Sequence, residues 1–145
     1  MRRIFLILTI FLGFSACDSA PSGPEITVYK SPTCGCCKKW ITHLEDNGFD
    51  VTAKNVADVN PYKAENGLPP VLASCHTALV DGYVIEGHVP ADDIKRLLKE
   101  KPAISGLAVP GMPTGSPGME QGAHKDRYDV VAFDNKNQMS VYSSH

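Results

Sequence analysis

Apolar and polar residues alternate through "EITVYKS" (residues 25–31), which is also rich in β-branched side chains, and this predicts a strand. Ser31-Pro32-Thr33 breaks the alternation and Cys34-Gly35 turns the chain. In "CCKKWITHLEDNG" the period changes: Trp40, Ile41 and Leu44 fall on one face of a helix, and Gly48 stands where a C-terminal cap belongs. "FDVTAKNV" (49–56) predicts a second strand. "DVNPYKAENG" (58–67) reads as a short helix or turn, opened by Asp58 and closed by Gly67. In "SCHTALVDGYVIEGHVP" (74–90) two apolar runs flank Asp81-Gly82, a strong hairpin signal. Ala91 to Lys101 predicts a helix, with Ile94, Leu97 and Leu98 on one side. Residues 102–124 are loaded with proline and glycine and have no period, so they predict a long loop. "YDVVAFD" and "MSVYS" then predict two strands around Asn135-Lys136-Asn137.

The order is β-α-β-(α)-β-β-α, followed by the loop and the terminal strands. It predicts an α/β fold of thioredoxin-like order: a small mixed sheet flanked by helices, with a long Pro/Gly-rich loop and C-terminal strands. The chain has 145 residues, and no internal repeat, so residues 25–145 are expected to form one domain.

The first sixteen residues stand apart. Arg2 and Arg3 precede the apolar "IFLILTIFLGF", which is short for a bilayer span, and small residues follow before Cys17. Residues 1–16 thus read as a secretory signal peptide. Residues 17–24 read as a linker, small and polar with two prolines. "FSAC" resembles a bacterial lipobox, apart from Phe14 in place of the usual leucine. Two readings stand: lipidation of Cys17, which would tether the protein to a membrane surface, or simple cleavage nearby. If Cys17 is lipidated, Asp18 beside it resembles a signal for inner-membrane retention. Without Arg2 and Arg3 the chain keeps 12 basic against 16 acidic residues and has no basic run, so nothing supports a nucleic-acid surface.

With Cys17 set aside, Cys34, Cys36, Cys37 and Cys75 remain. In an oxidising compartment idle thiols are lost to disulfides, so the four are expected to be bridged or to hold metal. Cys34 and Cys37 have C-x-x-C spacing at a strand–helix junction. There the helix N-terminus favours thiolate, which serves redox and metal chemistry equally. Cys36 separates the two. A third thiol competes for any disulfide, whereas thiolate sulfur suits soft ions such as Cu(I). Three readings remain: a metal site, a disulfide staple through Cys75, and a dithiol oxidoreductase. A structural zinc module is disfavoured, since such sites draw on separated pairs of ligands. Thioredoxin-like folds usually carry a proline where "SCHT" stands. Its absence weakens the oxidoreductase reading.

"YKSPTCGCCKKW", "SCHTALVDGYVIEGHVP", "GLAVPGMPTGSPGME" and "YDVVAFD" together resemble the periplasmic copper-resistance CopG family, over roughly Ile26 to Tyr142. The resemblance implies a thioredoxin-like fold adapted to copper, with a polynuclear Cu(I)–thiolate cluster. Cys34, Cys36 and Cys37 match the family's C-x-C-C motif and Cys75 the cysteine of "SCHT". Met112 and Met119 match its loop methionines and His88 the histidine of "GHVP". The two methionines stand in a loop without an amphipathic face, and thioethers suit Cu(I). His76 is expected to point away from Cys75 by strand alternation. His43 is expected on the surface, and His124 and His145 are given no role. Lys38 and Lys39 read as a solvated helix face or as partial neutralisation of an anionic cluster.

The resulting expectation is an exported copper-binding protein of a tolerance system, located in the periplasm and, on the lipidation reading, anchored to the inner membrane through Cys17, working with copper efflux or other periplasmic copper-handling proteins. No catalytic residue is assigned. The rivals are a thiol–disulfide oxidoreductase using Cys34 and Cys37, a protein that interconverts Cu(I) and Cu(II), and a single-ion copper chaperone.

Overall fold

A computed structural model describes residues 23–145. The signal segment 1–16, Cys17 and most of the linker lie outside the described residues. Strand β1 (Glu25–Lys30) leads through helix α1 (Gly35–Asp46) to β2 (Asp50–Asn55). Helix α2 (Asn60–Glu65) and a 3-10 turn (Pro70–Leu72) precede the hairpin of β3 (His76–Val80) and β4 (Tyr83–Glu86). Helix α3 (Ala91–Glu100), β5 (Gly106–Ala108), β6 (Asp129–Phe133) and β7 (Met139–Ser144) complete the chain. Among the described residues no helix is long and apolar enough to cross a membrane.

The strands form one mixed sheet in the order β2-β1-β3-β4-β5-β6-β7. β1 and β2 are parallel across α1, and β4 and β5 are parallel across α3; the other neighbours are antiparallel. The α/β class and the thioredoxin-like order are as the sequence predicts. Strand alternation sorts the core onto two faces. Ile85, Leu107 and Val130 pack with Trp40, Leu44, Ile94 and Leu97 of α1 and α3. Val84, Ala108 and Phe133 pack on the other face with Leu68 and Leu72.

The local signals hold where they were strongest. Asp81 and Gly82 both take positive φ (46° and 82°), as a two-residue hairpin turn requires. Gly48, at φ 86°, follows the C-cap of α1. Asp58 acts one residue earlier than a formal N-cap: Val59 holds that position, and Asp58 Oδ1 accepts the Asn60 N–H at 2.9 Å.

Strand β5 corrects the reading of residues 102–124 as loop throughout. Three residues are too short to show a period, and all three are buried between β4 and β6. Gly106 is there because a Cβ would lie 2.0 Å from the Val84 carbonyl oxygen.

Candidate metal centre

The first wall of the site is the start of α1. Cys34 is its N-cap, in extended conformation, and its Sγ accepts the Cys37 N–H at 3.3 Å. Cys36 and Cys37 occupy the first turn, where unpaired N–H groups and the helix dipole favour negative charge. Cys37 is buried; Cys34 and Cys36 are half-buried. Lys38 and Lys39 are exposed, which agrees with a solvated face.

The second wall comes from residues 73–75, between the 3-10 turn and β3. It sets Cys75 Sγ 3.6 Å from Cys37 Sγ, across 38 residues of sequence. Cys36 Sγ lies 3.5 Å from Cys34 Sγ. All four sulfur atoms lie within 4.8 Å of one another. Cys34 and Cys37 are joined as a disulfide, while Cys36 and Cys75 are free. The three clustered cysteines therefore sort into one pair, that of the dithiol reading, although Cys36 is expected to compete for it. The bridge spans the C-x-x-C ends, where the cap geometry already brings the two residues together.

The third wall is imidazole. His88 Nε2 stands 3.1 Å from Cys75 Sγ, and its Nδ1 donates to the Pro117 carbonyl at 2.7 Å. That bond leaves Nε2 as the lone-pair nitrogen facing the sulfur. His76 was expected to turn away, yet its Nδ1 lies 3.3 Å from Cys75 Sγ. The pleat rule fails because β3 begins at His76, so Cys75 is not part of the strand. Cys75, His76 and His88 form a second group of donors within 4.8 Å. The His76 ring packs on Trp40 at 4.3 Å between centroids, and its Nε2 is buried without a hydrogen-bond partner.

Loop 109–124 closes over these walls. Its Gly111 carbonyl accepts from Ser74 Oγ, beside Cys75. Gly118, at φ 85°, lies so close to α1 that a Cβ would meet Trp40 N at 2.8 Å and the Cys36 carbonyl at 2.9 Å. Bonds from Ser116 N to Pro113 O and from Met119 N to Ser116 O order the loop internally. Met119 is half-buried just after the Gly118 contact, and Met112 is exposed just after the Gly111 contact. The structure thus gathers the four cysteines and His88. It places the two methionines at the two anchored points of the loop.

Burial disfavours the charged forms of Cys75, His76 and His88. It pushes the Cys75 thiol up to about 12, helped by the neighbouring Cys36. It holds His76 well below the usual imidazole range, reinforced by His88 and Lys63. His88 is also lowered by burial, partly opposed by its bond to Pro117. Lys30, opposite His76 in the β1–β3 register, is buried, with Nζ donating to Asn55 Oδ1 and to the Ser31 carbonyl. That carbonyl also accepts the Cys34 N–H.

Three features escaped sequence reasoning. His76, which strand alternation turns away from Cys75, is one of the donors beside it. His43 is half-buried, not a surface residue: its Nε2 accepts the Ala91 N–H at 3.1 Å and caps α3, whose N-cap Pro90 offers no side-chain acceptor. Glu86 is fully buried and ion-paired with Lys63. The signal for Glu86 was a lone charge inside the apolar run "YVIEGHV". His124 and His145 bond to Asp126 and Asp93.

The family profile described as "Protein of unknown function, DUF411" matches residues 72–119. That span holds Cys75, His88, Met112 and Met119, and stops short of the C-x-C-C motif. Two solved structures of copper resistance protein CopG, form 1 and form 2, are each 48% identical to the chain. Each match covers 85% of this chain and 98% of the other, with a TM-score of 0.81. No curated protein sequence matches.

Proposed function

The chain belongs to the CopG copper-resistance family, and we propose that it binds copper through Cys34, Cys36, Cys37 and Cys75, as Cu(I) held in a thiolate cluster. The observation that carries this reading is the convergence of four sulfur atoms, from two distant segments, within 4.8 Å. Thiolate and neutral imidazole select soft and borderline ions, and Cu(I) accepts two or three such ligands, so closely spaced sulfurs can bridge several ions. His88 supplies Nε2 at the edge of the cage.

Copper is cargo here, and the protein's part is to prepare the donors. An external dithiol reductant, itself oxidised to a disulfide, would supply the two electrons that convert the Cys34–Cys37 bond into two thiolates. Deprotonation of Cys36 and Cys75 yields two more, and those protons leave as the cations bind. The dipole of α1 stabilises the first three sulfurs. Fewer than four Cu(I) ions leave the cage anionic. Loop 109–124 covers the cage, with Met112 and Met119 as softer outer donors.

The test is anaerobic titration of the fully reduced protein with Cu(I) against a competing chelator. More than one tightly held ion per chain is expected. No uptake by the reduced, folded protein would sink the proposal. X-ray absorption on the same sample reads sulfur coordination and any short Cu–Cu distance.

A second reading, thiol–disulfide exchange, is favoured by the Cys34–Cys37 bridge at a helix N-terminus. Cys36→Ser discriminates. A dithiol enzyme keeps its disulfide-reductase activity in this variant, whereas a cluster protein loses metal. Export to the periplasm, tethering through Cys17 and transfer to a copper-efflux partner belong to the same proposal. Fractionation and mass analysis of the mature N-terminus test the first two.

A further inference from the structure

Glu86 ends β4 in a fully buried position. Its carboxylate accepts from Lys63 Nζ of α2, from Thr77 Oγ1 at 2.6 Å, and from the backbone N–H of Ser74. Lys63 Nζ also donates to Thr77 Oγ1 at 3.0 Å. A buried ion pair is seldom more stabilising than apolar side chains of the same volume. What sets this pair apart is the third bond. Ser74 lies outside the strands, and the next residue is Cys75. Its N–H is satisfied by the carboxylate, and its Oγ is bonded to the Gly111 carbonyl. Gly87 follows Glu86 and crowds Ser74 from below: a Cβ there would lie 2.7 Å from Ser74 Cβ and from the Val109 carbonyl. Ser74 is therefore held from three sides, by β4, by the ion pair and by the loop.

We propose that the buried Lys63–Glu86 pair is the positioning device of the sulfur cage: it fixes Ser74, and thereby sets the Cys75 thiol against Cys37 and His88 before any metal arrives. The consequence for copper rests on the function proposed above; the placement of Cys75 does not. Lys63 and Glu86 act through Ser74 and are positioning residues. Outer partners of this kind matter because a ligand that has to be ordered on binding costs affinity, about 10- to 100-fold when such a partner is removed.

Two double variants separate the hydrogen bond from the charge. Lys63→Met with Glu86→Gln removes both charges and keeps an oxygen for the Ser74 N–H. Lys63→Met with Glu86→Leu removes both charges and the acceptor. The first readout uses metal-free protein with the Cys34–Cys37 disulfide intact and Cys36→Ser as background. The rate of Cys75 alkylation by iodoacetamide is followed by peptide mass spectrometry. The leucine variant is expected to react roughly tenfold faster than the parent, the change in local opening that losing one buried hydrogen bond implies. The glutamine variant is expected to stay within about threefold of the parent, because the neutral pair keeps its packing. The second readout is Cu(I) affinity of the reduced protein, expected to fall about 10- to 100-fold in the leucine variant only.

Equal alkylation rates in the parent and both folded variants overturn the proposal. If the parent takes up no Cu(I), the copper reading fails alone, and alkylation still decides the positioning claim. If the leucine variant does not fold, hydrogen exchange of the Ser74 amide in the wild-type chain decides instead. Protection comparable to the β3 amides supports the proposal, and exchange at the rate of an open loop overturns it.

Discussion

Gly118→Ala is the sharpest test of the loop as a cover. Gly118 holds φ at 85°, and a Cβ there would lie 2.8 Å from Trp40 N and 2.9 Å from the Cys36 carbonyl oxygen. Both neighbours are backbone of α1 and cannot move aside without bending the helix. A left-handed φ costs a non-glycine residue about 1–2 kcal/mol. Forcing a methyl group into packed backbone costs roughly 1–3 kcal/mol more. The cheaper response is for Pro117 and Gly118 to lift off α1. That breaks the bond from His88 Nδ1 to the Pro117 carbonyl and frees the imidazole to turn. Loss of such an orienting bond lowers metal affinity about 10- to 100-fold. Gly122→Ala is the control: Gly122 has φ 64° but nothing within 4 Å of its Cβ position, so it carries the φ cost without the clash. The assays are urea unfolding of the metal-free protein and Cu(I) competition on the reduced protein. Gly118→Ala is expected to lose affinity and Gly122→Ala to keep it. Wild-type stability and wild-type affinity in Gly118→Ala would refute the reasoning.

Trp40→Phe removes the Nε1–H that donates to the buried Val89 carbonyl at 2.8 Å, and should cost about 1–3 kcal/mol in urea unfolding. Because Trp40 is the chain's one tryptophan and lies on His76, its fluorescence should also report filling of the site; an emission indifferent to Cu(I) would count against the cage. Metal-free stability should fall as the pH drops below about 6.5. His43, His76 and His88 all have folded pKa values below 6.5, chiefly through burial, so the unfolded chain binds more protons in that range. The contribution is complete above the unfolded value and lost on acidification; unfolding curves from pH 8 to pH 5 that do not shift would contradict it. His43→Gln should flatten part of that slope while leaving Cu(I) stoichiometry unchanged, since His43 caps α3 and is not one of the cage donors.

What the sequence determined by itself is the set of elements and their order, β5 excepted. Alternation marked β1, helical spacing of Trp40, Ile41 and Leu44 marked α1, and two apolar runs around Asp81-Gly82 marked the hairpin of β3 and β4, because each is a local rule acting on neighbouring residues. The C-x-C-C motif at a strand–helix junction was legible for the same reason. Tertiary structure decided everything that depends on which segments meet. β5 is a strand only because β4 and β6 flank it on both sides. Cys75 reaches Cys37, and His76 faces Cys75 against simple alternation, because the chain turns into β3 at that point. Glu86 stands out as a lone charge in an apolar run, but its partner Lys63 sits in an ordinary helical setting, and their burial as a pair appears only when α2 packs on the hairpin. The C-x-x-C spacing offered Cys34 and Cys37 as a pair beside other pairings, and the cap geometry of α1 brings those two together.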